Sequence, residues 1–140
     1  MNQFVLDSSI ALTWCFKDEE TAETRHVLDL ASASQIFVPA LWHFEMTNIL
    51  GLGLRRKRIS ETELAEAVER MAALGLIVEN HIWPGDANSM LSLMERHKLT
   101  GYDAAYLHLA ILKQLPLATL DRELSRAARM EGLSLICQVS

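Results

Sequence analysis

The chain has 140 residues, half of them apolar and 22% charged, and its 13 Lys and Arg against 18 Asp and Glu give a net charge of −5. That length fits one domain with a full core, and that acidity excludes a protein that coats nucleic acid by general electrostatics. No stretch reaches the ~18 uncharged apolar residues of a membrane span. Asp7 breaks the first apolar stretch too early for a secretory leader. Cys15 and Cys137, the only cysteines, make neither a disulfide framework nor a cysteine zinc site, so a reduced, cytoplasmic setting is the expectation.

In chain order, short apolar runs alternate with longer amphipathic stretches, the pattern of an α/β domain with a mostly parallel sheet. Strands are predicted at residues 3–6, 35–38, 76–79, 117–119 and 134–137. Ser8 or Ser9 can cap a short helix to about residue 16, and a second helix is predicted over 20–33. A third follows Pro39, which suits a helix start, and continues to about residue 54. Ser60 with Glu63 three residues on forms a capping box for a helix reaching residue 74, where Gly75 suits the end. Further helices are predicted over 85–97, 102–113 and 122–131. No repeat, linker or low-complexity tract interrupts the series.

Four acids occupy unusual places on this map. Asp7 closes the run Phe4-Val5-Leu6 and Asp121 closes Leu117-Ala118-Thr119-Leu120; Glu45 and Asp103 lie inside apolar helical segments. Carboxylates are rarely buried unless paired or bound to a metal, because removing water from a charge costs several kcal/mol. Asp7 and Asp121 fall just past strand ends, where open α/β sheets bind ligands. Asp103 falls in a helix's first turn, where the dipole favours an anion. All four can point to one edge of the sheet. Converging carboxylates repel one another and raise each other's pKa values, and a divalent cation relieves the strain. An all-oxygen set without His or Cys selects Mg²⁺ or Mn²⁺ over zinc or copper. Metal-assisted phosphodiester hydrolysis is the chemistry this suggests.

Each acid also has a plainer reading. Asp7 and Asp121 can simply cap the helices that follow, Glu45 can pair with an arginine, and Asp103 can be an ordinary first-turn acid. Asp29 can pair with Arg25 on the surface, and Glu79, ending a predicted strand, is an outside candidate for the site. The basic block Arg55-Arg56-Lys57-Arg58 and the helically spaced Arg122, Arg126 and Arg129 read first as solvated surface. Gly51-Leu52-Gly53 lacks the third glycine of a dinucleotide loop and sits late in a helix. His43-Phe44-Glu45 carries an H-x-E pair, but the PCxxC of a zinc deaminase is absent. His108 reads as a packed or edge residue, and Trp14, Trp42 and Trp83 as core or interface anchors.

With these motifs in view, the chain resembles the PIN-domain ribonucleases, and especially the toxin members (VapC type) of bacterial toxin–antitoxin pairs. The resemblance rests on Asp7-Ser8-Ser9 after the opening strand, on Pro39-Ala40-Leu41 followed by Glu45 and Asn48, on Tyr102-Asp103-Ala104-Ala105-Tyr106, and on Thr119-Leu120-Asp121 with Leu124. It spans essentially the whole chain, residues 1–140, as one PIN-like domain. It implies a five-stranded parallel sheet, order 3-2-1-4-5, flanked by helices. Asp7, Glu45, Asp103 and Asp121 would then hold Mg²⁺ or Mn²⁺ directly or through water, with Ser9 and Thr119 orienting the carboxylates. The implied reaction is endonucleolytic cleavage of single-stranded RNA by a metal-activated water, leaving a 5′-phosphate. The implied partners are a second copy of the chain and a small VapB-like antitoxin. Two alternatives stand beside it: a haloacid-dehalogenase-like phosphohydrolase with Asp7 as nucleophile, for which Ser9 occupies the place of the needed second Asp, and a PIN-like interaction module without turnover.

Overall fold

The computed structural model describes residues 2–137. Four parallel strands run in the order β3-β2-β1-β4: β1 Asn2–Leu6, β2 Ser34–Pro39, β3 Leu76–Glu79 and β4 Leu117–Ala118. Phe4, Val5 and Leu6 are wholly buried, as expected of a central strand covered on both faces, which needs a continuous apolar run rather than an alternating one. β1 pairs with β2 through Gln3↔Gln35 and Phe4↔Ile36 and with β4 through Val5↔Leu117.

The predicted fifth strand is the main correction. Residues 134–137 lie beside β4, on the side a fifth strand would take, but contribute one parallel bridge, Leu117↔Leu135. The reason lies in β4. Its alternate residues face opposite neighbours: Pro116 O and Ala118 O accept from Val5 and Asp7 of the β1 side, while Leu117 alone exchanges bonds with Ser134 O and the Ile136 N–H. Leu115 N is already spent on Ala110 O at a helix end. One outward-facing residue supports one bridge, not a ladder.

Among the described residues, seven α-helices connect and cover the strands: α1 Ser8–Thr13, α2 Ala22–Ala31, α3 Ala40–Arg55, α4 Glu61–Ala72, α5 Gly85–His97, α6 Gly101–Lys113 and α7 Arg122–Met130. The helix predicted to run from Ser8 to residue 16 stops at Thr13, a 3₁₀ turn at Lys17–Glu19 follows it, and the second helix, predicted over 20–33, spans Ala22–Ala31. Thr21 caps that helix, its hydroxyl accepting from the Thr24 N–H at 3.1 Å. The Ser60–Glu63 capping box forms as expected, with bonds of 3.0 and 3.1 Å. α6 is apolar around most of its circumference, and Ala104 through Ala110 are all buried, which fits a helix laid against β1 and β2. α7 is amphipathic: Leu124, Ala127 and Ala128 face inward, and its arginines face out.

β1, β2 and β3 are laid down in one direction, and the chain then returns through α5 and α6 to add β4 on the other flank of β1. The strand order therefore reverses between β1 and β4. In open α/β sheets the crevice at such a reversal, beyond the carboxyl ends of the strands, is where ligands bind.

Candidate active site

Asp7 stands at that crevice. It occupies the cap position of α1 yet makes no capping bond with its side chain, so the capping reading of this residue fails. Its Oδ2 instead accepts two hydroxyl hydrogens, from Ser9 at 2.7 Å and from Thr119 at 2.6 Å. Each hydroxyl has one hydrogen and spare lone pairs. The lone pairs are used too: Ser9 Oγ accepts from the Leu120 N–H at 2.9 Å, and Thr119 Oγ1 from the Asp121 N–H at 3.0 Å. Two hydroxyls thus fix Asp7 and, through the backbone, the turn that presents Asp121. The oxygen Oδ1 of Asp7 has no hydrogen bond among the described residues and is the one left for a ligand.

Glu45, on the second turn of α3, repeats the pattern. Oε1 accepts from Ser8 Oγ at 3.1 Å and from the Tyr106 hydroxyl in a short bond, while Oε2 accepts from no described residue. The arginine partner considered for Glu45 is absent among the described residues. Tyr106 and Ser8 as holders of Glu45 are additions to the sequence reading. Tyr106 lies three residues beyond Asp103, on the same side of α6, which was a usable signal; Ser8 gave none beyond its capping preference.

Asp121 does cap its helix, with Oδ1 accepting from the Leu124 N–H at 2.8 Å, so here the plainer reading holds for one oxygen and the other remains free. Asp103 sits in the first turn of α6, where its own N–H donates to the capping Thr100 at 3.2 Å. All four acids, with Ser8, Ser9 and Asn48, line a single cleft of about 380 Å³.

The charges in this cleft are coupled. Burial pushes the Asp103 carboxyl up to about 6, and the negative charges of Asp121, Asp7 and Glu45 add to the rise. Asp7 is raised first by burial, against the lowering effect of its Thr119 and Ser9 bonds, with Glu45 and Asp121 adding repulsion. Burial and the bond to Glu45 both hold the Tyr106 phenol in its neutral, donating form. Among the described residues, no three His, Cys, Asp or Glu side chains already form a coordination shell. The donor set nonetheless fits a hard ion: it is all oxygen, negatively charged, and on three of the acids one oxygen is tied to protein donors while the other is open. Mg²⁺ keeps several waters and takes one or two carboxylates, so the set need not close on the ion by itself.

Other candidates fall elsewhere. Glu79 pairs with Lys113 at 3.0 Å, outside the cleft. Arg25 bonds Glu20 at 2.8 Å rather than Asp29. In the basic block Arg58 turns back to Glu19 at 2.9 Å and lies over the Phe16 ring, whereas Arg55, Arg56 and Lys57 are exposed. Trp14 and Trp42 are core residues and Trp83 is 80% exposed. His108 is buried beside His81.

An α/β domain whose parallel sheet reverses its strand order over an acidic cleft is of the open α/β class, in which ligands bind beyond the carboxyl ends of the strands. The PIN-domain family model matches residues 4–130, and the chain belongs to that family. Two solved structures share the fold. A protein titled PAE2754 from Pyrobaculum aerophilum is 23% identical, with 90% of this chain and 86% of that one covered at a TM-score of 0.63. VapBC2 from Rickettsia felis, solved on a DNA fragment from its promoter, is 14% identical, with 95% and 96% covered at a TM-score of 0.65. No curated protein sequence matches the chain. No helix among the described residues is long and apolar enough to cross a membrane.

Proposed function

We propose that this PIN domain is a Mg²⁺- or Mn²⁺-dependent endoribonuclease, acting on single-stranded RNA as the toxin of a toxin–antitoxin pair. The observation that carries the reading is the half-tethered state of its carboxylates. Asp7, Glu45 and Asp121 each give one oxygen to protein donors and leave the other open in the same cleft. Hydrogen bonds to one oxygen orient a carboxylate and leave its other oxygen available to a metal. Asp7, Glu45, Asp103 and Asp121 are the residues that would hold the ion, directly or through water. Such an ion lowers the pKa of a bound water and stabilises the leaving oxygen of a phosphodiester.

The chain's own residues do the rest. Ser9 and Thr119 fix the direction of Asp7, and Tyr106 and Ser8 fix that of Glu45. Asp103, raised to about 6, is deprotonated at neutral pH and adds its charge there. The haloacid-dehalogenase-like alternative loses ground, because Ser9 is spent on Asp7 and offers no second acid. A module without turnover would have no use for carboxylates held in this half-satisfied form.

A protein partner is supported by two features. A groove of about 590 Å³ between α1, α2 and α4 has Trp14, Cys15 and Leu28 in its lining among basic Lys17, Arg25 and Arg70 and acidic Glu20, Asp29, Glu63 and Glu66, and it suits a short amphipathic antitoxin segment carrying charge of both signs. Ile82 and Trp83 stand exposed beyond β3, the kind of surface a second copy would cover. The deciding experiment is cleavage of a single-stranded RNA by the purified protein with Mg²⁺ or Mn²⁺, with 5′-phosphate ends mapped on the products. Asp7→Asn and Asp103→Asn should abolish both cleavage and growth inhibition on expression. Cleavage that persists in both variants overturns the reading.

A further inference from the structure

Two large aromatic side chains are left open next to the acids, one on each helix that flanks the cleft. Tyr102 is 66% exposed and directly precedes Asp103; Phe44 is 68% exposed and directly precedes Glu45. Neither ring lines the cleft itself, but each directly precedes an acid that does. Tyr102 lies four residues before Tyr106, whose hydroxyl reaches Glu45, so the two tyrosines share one side of α6, with Tyr102 a turn further out. Phe44 lies four residues before Asn48, which lines the cleft, and shares that side of α3. The His43 ring meets Phe44 edge-on with centroids 5.5 Å apart, which supports the Phe44 ring from one side and leaves the rest of it open.

We propose that Tyr102 and Phe44 form an aromatic rim on which bases flanking the scissile phosphate of single-stranded RNA stack; the proposal rests on the nuclease reading above. The charge distribution leaves a role for such a rim. A chain with a net charge of −5 and an acidic cleft gains little from general attraction to phosphate, so affinity must come from another source. Base stacking on aromatic faces supplies it without regard to sequence, because every base has a π-face. Arg122, directly after the cleft-lining Asp121, is exposed and the nearest cation in sequence to the four acids.

The test is equilibrium binding of a single-stranded oligoribonucleotide carrying 2-aminopurine, without divalent metal, alongside steady-state cleavage with Mg²⁺. Wild type should quench the 2-aminopurine on binding. Tyr102→Leu and Phe44→Leu should lose the quench, weaken Kd about tenfold each, and raise KM with kcat kept, whereas Tyr102→Trp should restore both. Unchanged binding and KM in both leucine variants overturns the rim. So does a leucine variant that turns a dimer into a monomer while its RNA affinity stays the same, since the aromatics would then serve a second copy. A wild type that binds and quenches the RNA but never cleaves it would instead sink the nuclease reading and leave the rim standing.

Discussion

Thr119 and Asp7 are 112 positions apart in sequence, yet the Thr119 hydroxyl donates to Asp7 Oδ2 at 2.6 Å inside the protein. This bond joins the end of β4 to the end of β1 across the reversal in strand order. It does two things at once: it aims Asp7 into the cleft and spaces the turn that carries Asp121.

Replacing Thr119 by Val keeps the shape and removes the donor. Asp7 then keeps only Ser9 as a hydroxyl partner, its carboxylate is less stabilised and its pKa rises further. Thr119→Val should cost about 1–3 kcal/mol of stability and weaken Mg²⁺ binding by about 10–100-fold, while Thr119→Ser should stay near wild type. Denaturant titration and calorimetric metal titration check the pair.

Tyr106→Phe removes the short bond to Glu45 and leaves Ser8 to hold that carboxylate. The ring still fills the core, so the stability loss should be modest, about 0.5–1.5 kcal/mol. Catalysis should fall much more than stability, because Glu45, held by Ser8 alone, is less firmly aimed into the cleft. Rates of RNA cleavage set beside melting curves separate the two effects.

The raised Asp103 carboxyl makes the metal-free protein sensitive to pH. Its folded pKa, about 6, lies above its ordinary value near 3.8, so the folded state holds a proton the unfolded state has already lost. Its contribution to stability is therefore complete below about pH 4 and is lost as pH rises through 6. The stability of wild type relative to Asp103→Asn should fall across that window without metal. Saturating Mg²⁺ should raise the wild-type melting temperature at pH 7, and proton competition should weaken Mg²⁺ binding as pH drops below 6. Thermal scans at several pH values, with and without Mg²⁺, read all three.

The two glycines of α3 should respond in opposite senses. A Cβ on Gly53 would lie 2.9 and 3.0 Å from the buried Phe16 ring, whereas one on Gly51 would meet nothing within 4 Å. Gly53→Ala should destabilise by about 1–3 kcal/mol through overpacking. Gly51→Ala should stabilise by up to about 1 kcal/mol, through better helix propensity. Chemical denaturation of both variants decides it.

What the sequence determined was local. The buried run Phe4-Val5-Leu6, the Ser60–Glu63 capping box and the boundaries of α5 follow from short-range patterns, because apolar periodicity and capping chemistry operate within a few residues. The four acids could be named from their apolar surroundings, and Tyr106 could have been added from its spacing to Asp103. Tertiary structure alone decided how those acids are held. The resemblance named Ser9 and Thr119 as orienting hydroxyls, but that both meet one oxygen of Asp7, and that Tyr106 and Ser8 hold Glu45, follows only once β4 and α6 have come back beside β1 and α3. The same reason limits the fifth strand: residues 134–137 have a strand's composition, but a ladder needs a partner with free groups, and β4 had one residue facing outward to offer.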